Sequence, residues 1–418
     1  MPTLLQINAA LNRGSTGRIA EQIGLLAIEQ GWNVYIAHGA RYTNRSGLNA
    51  IQVVTKVEEK QHAIKSMLFD SHGLGSKKAT KKLVERIKEI KPDIIHLHNI
   101  HGYYLNYKVL FEYLATIDTP VVWTLHDCWT MTGHCAHFDA AGCNKWKTGC
   151  HKCPLKREYP KSLFIDRSNR NYNLKKRLFG SLKNAIIVPV SNWLGNIVSE
   201  SYLKNHKIQV INNGVDINIF KPQKTTEFRN KLNIGNKIVL LGVATAWHNE
   251  KGLREFIRLS ENPRYQVIMV GVPAEIEKDL SKEIIAIGRT NNQQELAEYY
   301  SVADILVNPT YNDSFPTVNL EALACGTPVI TYRTGGSSES ITEQTGIVVE
   351  KGNFNELIKA IETICNKGKE YYSVACRERA VSLYNKDDRF NEYIELYNTL
   401  LIQPHRMCEK RKNYKVAF

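Results

Sequence analysis

The chain has 418 residues, of which 43% are hydrophobic and 23% charged, as is ordinary for a globular protein with room for two domains. Its 55 lysines and arginines outnumber its 41 aspartates and glutamates, which gives a net charge of +14. No helix-turn-helix, RRM or zinc-finger pattern accompanies this charge, so we expect no nucleic-acid partner. An anionic membrane surface or a phosphorylated substrate fits the charge better, and a merely basic solvated surface is the plain alternative.

The first residues contain no basic segment of the kind that begins a signal peptide, and no apolar run is long enough to cross a bilayer. We therefore expect a cytoplasmic protein, and leave open a peripheral contact with the inner face of the plasma membrane. Nine cysteines in a reducing compartment are expected to be free thiols or metal ligands.

The N-terminal half alternates apolar strands with amphipathic helices, which predicts an α/β fold. A strand over residues 4–10 leads through a loop with Gly14 and Gly17 into a helix, and Arg18 offers a cation to a ligand at that loop. Gly-x-x-Gly alone usually marks nothing more than a tight turn. Residues 77–91 predict a basic amphipathic helix, for which a solvated face is the default interpretation and contact with anionic lipid the alternative.

Residues 121–125 form a predicted strand that ends directly at His126. Ligands of α/β folds bind at the carboxyl edge of the sheet, so His126 is the first candidate of the N-terminal half. After a cysteine-rich segment, residues 156–177 are basic and predict a helix.

The cysteine-rich segment covers residues 128–154. Four thiols within it, with a Cys-x-x-Cys knuckle at the end, suit a tetrahedral structural zinc site: Cys135, Cys143, Cys150 and Cys153. The first pair is more widely spaced than in a standard knuckle, so free thiols, or disulfides in an oxidising compartment, remain alternatives. His134, His137 and His151 are spare ligands.

The C-terminal half repeats the alternation of strands and helices. Lys251 lies in the loop after a strand over residues 237–244, and Thr290 and Asn291 follow a short strand over residues 284–288. A buried strand over residues 304–309 leads through a polar turn into a compact predicted helix over residues 317–325.

Asp313 stands before that last helix and Glu321 about one turn inside it. The free N–H groups at a helix start bind anions such as a diphosphate, and two carboxylates nearby accept hydrogen bonds from hydroxyls. A nucleotide-sugar combines a diphosphate with hydroxyls on both sides. Ordinary solvated acids at a helix start are the alternative.

Asp313-x7-Glu321, followed by Ala-Leu-Ala-Cys-Gly-Thr-Pro-Val, resembles the E-x7-E signature of the family 4 glycosyltransferases, which are retaining enzymes of the GT-B fold. The likeness covers nearly the whole chain except its tail, and is strongest to a bacterial branch of colanic-acid and capsular polysaccharide assembly. Two departures stand out. Asp313 is one methylene shorter than the usual glutamate, and Ala246 replaces an arginine that the family carries in the loop of Lys251.

The resemblance implies two Rossmann-like, doubly wound α/β domains facing a central cleft, with the last helix crossing back to the first domain. We therefore predict an acceptor-side domain over residues 1–216, with the cysteine-rich insertion at 128–154, and a donor domain over residues 217–385. Residues 386–403 would form the crossover helix. Residues 404–418 are expected to be a disordered basic tail.

The resemblance further implies transfer of a sugar from a UDP- or GDP-sugar to a growing glycan, carried by a lipid diphosphate, in capsular or exopolysaccharide biosynthesis. His126 and Asp313 would bind the transferred sugar, and Lys251 the diphosphate. The resemblance implies further contacts with the donor. Glu321 would bind the ribose hydroxyls, and the loop of Gly14, Gly17 and Arg18 would face the transferred sugar. Thr290 and Asn291 would frame the base, and the backbone amides of Ser314, Phe315, Pro316 and Thr317 would hold the diphosphate or the sugar. No metal is expected in catalysis.

Two other classes of function remain open. A nucleotide-sugar 2-epimerase shares the two-domain architecture and would turn over without an acceptor, but the run from Asp313 to Val329 disfavours it. A non-catalytic carbohydrate- or membrane-binding paralogue is compatible with the missing loop arginine, and turnover of a donor would exclude it.

Overall fold

The structure is a computed structural model that describes the backbone of residues 1–413 and the side chains of residues 1–402. The chain divides into two compact units. The first comprises Met1–Val190, Leu194–Ile211 and the residues from Arg389 onward, and the second comprises Ser191–Trp193 and Asn212–Asp388.

A parallel sheet of seven strands forms the centre of the first unit. The strands are β1 (Thr3–Asn8), β2 (Asn33–His38), β3 (Asn49–Gln52), β4 (Ile94–Leu97), β5 (Val121–Leu125), β6 (Ala185–Pro189) and β7 (Lys207–Ile208). Their spatial order is β3-β2-β1-β4-β5-β6-β7. Every residue of β4, β5 and β6 is buried, as expected for the apolar strands of a sheet covered on both faces.

The helices of the first unit are α1 (Gly14–Glu29), α2 (Lys56–Phe69), α3 (Lys77–Ile90), α4 (Tyr107–Leu114), α5 (Ser168–Phe179) and, from its third residue onward, α6 (Asn192–Glu200). In α3, Leu83, Val84 and Ile87 are buried and the lysines face out, as its periodicity predicts. The predicted helix over residues 156–177 is wrong before Ser168, where the chain runs through turns. Pro160 lies in that stretch and cannot donate the N–H that a helix interior requires.

The second unit contains a parallel sheet of six strands in the order β10-β9-β8-β11-β12-β13. These strands are β8 (Ile238–Val243), β9 (Tyr265–Val270), β10 (Ile284–Ile287), β11 (Ile305–Asn308), β12 (Val329–Tyr332) and β13 (Gly346–Val349). Its helices are α7 (Thr226–Lys231), α8 (Leu253–Leu259), α9 (Ala274–Glu277), α10 (Gln293–Val302), α11 (Thr317–Ala324), α12 (Phe354–Lys367) and α13 (Lys369–Tyr384).

The last helix, α14, spans Lys386–Asn413, and its residues from Arg389 onward belong to the first unit. There Tyr393 and Tyr397 are fully buried in the core that also contains Trp32. Thr124 donates a hydrogen bond to Tyr393 at 3.0 Å, which ties the helix to β5. The helix continues beyond residue 403, and the end of the predicted tail, residues 414–418, lies outside the described residues.

Both sheets have a topological switch point, where the strand order reverses. It lies between β1 and β4 in the first unit and between β8 and β11 in the second. Loops that leave two neighbouring parallel strands at such a point diverge and open a crevice at the carboxyl edge, which is where α/β folds bind ligands. The functional side chains of each unit are therefore expected in these loops.

Candidate active site

Lys251 and Asp313 form the centre of the site in the second unit. Lys251 follows β8 and Asp313 follows β11, and these strands pair directly, with Leu240 opposite Ile305. The Lys251 Nζ donates to Asp313 Oδ2 at 2.8 Å and lies 3.3 Å from the Asn312 carbonyl oxygen. The two charged side chains remain 31% and 23% exposed, so a ligand can reach both.

Gly252 fixes the position of the loop that carries Lys251. Its φ is 78°, a region that favours glycine, and a Cβ there would lie 2.3 Å from Pro309 Cγ. Any larger residue would therefore push this loop away from the end of β11. The glycine lets the lysine reach Asp313.

The N-terminus of α11 follows Asp313 directly. Thr317 and Val318 carry the first amide groups of the helix, which have no partner within it. Of the predicted amide donors from Ser314 to Thr317, Pro316 is excluded because proline has no N–H; it stands at the N-cap instead. The remaining amides fit an anion at this end of the helix.

The structure adds two hydroxyls to this loop region, one from Ser314, which the sequence indicated only for its backbone amide, and one from Thr334. Ser314 Oγ and Thr334 Oγ1 are buried and have no hydrogen-bond partner among the described residues. Gly335 lets the loop after β12 pass close to the backbone of Asp313, because a Cβ at this position would lie 1.9 Å from the Asp313 carbonyl oxygen. The available signal was the Thr-Gly-Gly run that follows β12, the neighbour of β11.

Glu321 lies half-buried on α11, and its Oε2 accepts a hydrogen bond from Tyr300 at 2.7 Å. Tyr300 belongs to α10 and is fully buried. A buried phenol holds the carboxylate in one orientation, which suits a group that has to accept hydrogen bonds from a ligand.

Thr290 and Asn291 lie in the loop after β10, which β9 separates from β8 in the sheet. Asn291 donates from its backbone and its side chain to Glu295 Oε2, at 2.7 Å and 2.9 Å. Its amide therefore helps to start α10, beside the Asn292 cap. Neither residue makes a hydrogen bond to the Lys251–Asp313 pair, so their role in holding a base stays a prediction.

In the first unit, His126 directly follows β5. Gln6 donates its amide to the Ala20 carbonyl at 2.8 Å, so its Oε1 must accept from His98 Nε2, at 2.9 Å. His98 Nδ1 is then an acceptor, and His126 Nε2, 3.3 Å away, is the donor. Burial lowers the pKa of His126 to about 4. At neutral pH, His126 is therefore uncharged and keeps Nδ1 as an acceptor.

Asp127, the next residue, is structural. Its Oδ2 is 2.7 Å from His101 Nε2, and its Oδ1 accepts the Trp129 amide at 2.9 Å. Burial opposes the ionisation of Asp127, but the charge and hydrogen bond of His101 outweigh it and hold the pKa of this carboxyl well below its usual value. An ionised Asp127 fixes the loop that follows His126.

Gly14 and Gly17 lie in the first turn of α1, and each has a local role. Gly14 has a φ of 69°. A Cβ on Gly17 would approach Ala10 Cβ to 3.2 Å, so this glycine allows the helix to pack against the loop that follows β1. Arg18 is partly exposed beside them. Their contact with a donor sugar stays a prediction.

Four of the five cysteines of the 128–154 segment line one cavity. Cys135, Cys143, Cys150 and Cys153 are free thiols and line it together with His134 and His151. A hydrogen bond between Cys135 and Cys153 lowers the pKa of Cys153 to about 7. Among the described side chains, no three or more His, Cys, Asp or Glu residues already have the arrangement of a metal site. The zinc site stays a prediction.

No helix in the described part of the chain is both long enough and apolar enough to cross a membrane.

Family models match both halves of the chain. Residues 18–219 match the family described as Glycosyltransferase Family 4, and residues 224–380 match Glycosyl transferases group 1. The chain belongs to the family 4 glycosyltransferases. It is an enzyme of the hexosyltransferase class, which confirms the predicted family and enzyme class.

Full-length relatives agree with this assignment. The glycosyltransferase is 24% identical to the putative colanic acid biosynthesis glycosyl transferase WcaC of Escherichia coli, over 95% of this chain and 100% of WcaC. Its fold is similar to that of sucrose-phosphate synthase from Thermosynechococcus elongatus, with a TM-score of 0.72 and 19% identity over 96% and 100% of the two chains. Anabaena HepE in complex with UDP-glucose is similar with a TM-score of 0.66 and 15% identity, over 95% and 99%. The predicted GT-B class is confirmed.

Proposed function

We propose that the enzyme transfers a sugar from a UDP- or GDP-sugar to a hydroxyl of a growing glycan, with retention of the anomeric configuration. The observation that carries this proposal is the Lys251–Asp313 pair, 2.8 Å apart at the switch point of the second unit and next to the N-terminus of α11. A cation and helix amides suit a diphosphate, and the carboxylate beside them suits a sugar hydroxyl. A nucleotide-sugar presents these groups side by side.

The reaction breaks the bond between the anomeric carbon and a diphosphate oxygen, so negative charge grows on the diphosphate. Lys251 and the first amides of α11 are fixed donors at this place, and preorganised donors of this kind usually contribute more to catalysis than any other single effect. The Lys251 ammonium has three N–H donors, which contact Asp313 at 2.8 Å and, at 3.3 Å each, Thr310 Oγ1 and the Asn312 carbonyl oxygen. By exchanging the two longer contacts it can bind the diphosphate and keep its bond to Asp313. These groups are sufficient for the charge, and the proposal needs no catalytic metal.

We propose roles for further side chains in holding the donor. Glu321, oriented by Tyr300, accepts hydrogen bonds from the ribose hydroxyls. Asp313 and the Nδ1 of neutral His126 accept hydrogen bonds from hydroxyls of the transferred sugar. None of these groups is assigned as a nucleophile. The acceptor oxygen bonds to the anomeric carbon on the face that the diphosphate leaves, and its proton passes to the departing phosphate oxygen.

The acceptor is proposed by likeness to WcaC, whose name assigns it to colanic acid biosynthesis. We infer a growing capsular or exopolysaccharide glycan on a lipid diphosphate, with the enzyme bound peripherally to the membrane. The first half of α3 exposes four lysines, Lys77, Lys78, Lys81 and Lys82. In its second half, Glu85 and Glu89 each form an ion pair with a basic side chain. Each lysine near an anionic surface adds about 1 kcal/mol of attraction.

A panel of UDP- and GDP-sugars tests the proposal, with nucleotide release measured in the presence and absence of a lipid-diphosphate glycan and of EDTA. We expect the enzyme to turn over one of these donors and to release its nucleotide faster when the acceptor is present. This activity should persist in the presence of EDTA. The product anomer, read by NMR, should match that of the donor. Inversion would overturn the mechanism. Isomerised donor without nucleotide release would indicate an epimerase, and no turnover of any donor would indicate a binding protein.

A further inference from the structure

His134 lies at the wall of the cysteine-lined cavity and has one ring nitrogen without a partner. Its Nδ1 is 2.6 Å from Asp70 Oδ1, and both side chains are only 1% exposed. Its Nε2 is buried and has no hydrogen-bond partner among the described residues. A buried polar atom left without a partner destabilises the fold, so a ligand is expected there.

Asp70 is itself held in place, which makes the orientation of His134 definite. Its Oδ2 accepts the Arg167 amide at 2.5 Å, and its carbonyl accepts the Asn171 side chain at 2.9 Å. A carboxylate that accepts the Nδ1 proton leaves the Nε2 lone pair free. Metal-ligating histidines are typically oriented by a carboxylate in this way.

Four thiols line the same cavity as His134, and three of them are connected to one another. Cys135 and Cys153 hydrogen-bond to one another, and Cys150 belongs to the Cys-x-x-Cys knuckle with Cys153. Gly133 allows the close approach of the knuckle, because a Cβ there would lie 2.9 Å from Cys150 Cβ. The segment therefore collects three soft ligands beside an imidazole that has an open nitrogen.

We propose that this cavity binds a structural zinc ion through Cys135, Cys150, Cys153 and the Nε2 of His134. Three thiolates and one imidazole are a standard tetrahedral set. His134 takes the place that the sequence assigned to Cys143, because its free nitrogen is already oriented by Asp70. Zinc would replace the protons of the three thiols, and His134 would supply its Nε2 as the fourth ligand.

The arrangement of these side chains is close to a zinc geometry without reaching it. Two sulfurs on one zinc ion, with bonds of about 2.3 Å at tetrahedral angles, lie about 3.8 Å apart. A hydrogen bond between two thiols spans a similar distance, so the Cys135–Cys153 contact can become a pair of zinc bonds by side-chain rotation. The ion would fix a segment made of turns and short 3-10 helices, which has few hydrogen bonds of regular structure of its own.

The test uses the full chain purified from zinc-supplemented medium. Zinc per chain is measured by mass spectrometry, and cobalt replacement is followed by its thiolate charge-transfer and tetrahedral d–d absorption. We expect one zinc per wild-type chain, loss of zinc in His134→Gln and Cys150→Ser, and full retention in Cys143→Ser. Cys376→Ser, a buried thiol of the second unit, is the matched control.

Asp70→Asn leaves all four ligands in place and removes only the carboxylate that orients His134. It therefore tests the site without deleting a ligand. We expect its zinc affinity, measured by chelator competition, to fall by about 10–100-fold. Wild-type protein without zinc, or with a disulfide between Cys135 and Cys153, overturns the proposal. Zinc lost in Cys143→Ser and kept in His134→Gln overturns the ligand set.

Discussion

The Lys251 ammonium lies 2.8 Å from the Asp313 carboxylate, although 62 positions separate the two residues in the chain. The parallel pairing of β8 with β11 brings their loops together. Because both side chains are partly exposed, the ion pair itself stabilises the fold by no more than about 1 kcal/mol. Its main effect is to hold the cation beside the start of α11.

Lys251→Ala should therefore reduce catalysis far more than stability. Removing a fixed donor that faces developing negative charge lowers kcat by about 10²–10³-fold, and we expect that range for nucleotide release. The melting temperature should stay close to that of the wild type. Lys282→Ala removes an exposed lysine elsewhere in the second unit and serves as the control. A loss of kcat no larger than in this control would exclude Lys251 from the diphosphate site.

Asp313→Asn should be coupled to Lys251→Ala, because the two side chains are in direct contact. We expect the double variant to be little slower than the slower of the two single variants. Asp313→Glu restores the residue usual in the family and should keep most of the activity. Losses of transition-state free energy that simply add in the double variant would show that the two residues act independently.

Much of the site was predictable because its signals are local. Asp313, the turn and α11 lie within one short stretch, so the sequence alone indicated a carboxylate beside a helix start. The predictions that Lys251 and His126 each follow a strand were also confirmed. The parallel sheets then bring these loops to one edge within each unit.

The partners of these residues could not be predicted, because they come from distant parts of the chain. The hydrogen bonds in question join Glu321 to Tyr300, His98 to Gln6 and His134 to Asp70. They form only once the helices have packed. The sequence analysis also missed α2, since its buried face consists of Glu59, His62 and Ser66 rather than apolar residues. The capping box of Thr55 and Glu58 was the signal that remained.

His126 should act as an uncharged hydrogen-bond acceptor. We expect His126→Ala to lower kcat/KM by about tenfold, the loss of one hydrogen bond worth about 1.4 kcal/mol. His126→Asn keeps a polar atom near the position of Nδ1 and should retain more activity. Since burial lowers the pKa of His126 to about 4, its loss should not change the shape of the pH profile between pH 5 and pH 7. Equal activity in the wild type and the alanine variant would show that His126 does not act as a hydrogen-bond acceptor in the reaction.

Buried histidines should make the first unit sensitive to acid. Burial lowers the pKa of His62 and of His126 to about 4, and lowers the pKa of His72, His96 and His98 well below 6.5. The unfolded chain binds more protons between pH 4 and pH 6.5, so stability falls as the pH falls through this range. Each such histidine contributes up to about 1.4 kcal/mol per pH unit.

The dependence of stability on pH is measured by urea unfolding of the full chain at pH 7 and pH 5, followed with a probe in the first unit. His62→Gln should reduce the dependence on pH, because it removes one buried imidazole that accepts the Gly75 amide at 2.9 Å. His248→Gln changes an exposed histidine and should leave the slope as in the wild type. An identical slope in all three proteins would contradict the neutral state of His62.

The most direct test of the donor site is nucleotide binding by Glu321→Gln, which keeps the size of the side chain and removes its charge. Thermal shift and calorimetry with UDP, GDP and their sugars compare it with the wild type and with Glu343→Gln, an exposed glutamate of the same unit. We expect one nucleotide to stabilise the wild type and the control, and to bind Glu321→Gln at least about tenfold more weakly, since each hydrogen bond to a charged group contributes about 1.5–3 kcal/mol. Equal affinity in Glu321→Gln, or no stabilisation of the wild type by any nucleotide or nucleotide-sugar, would contradict a donor site at α11.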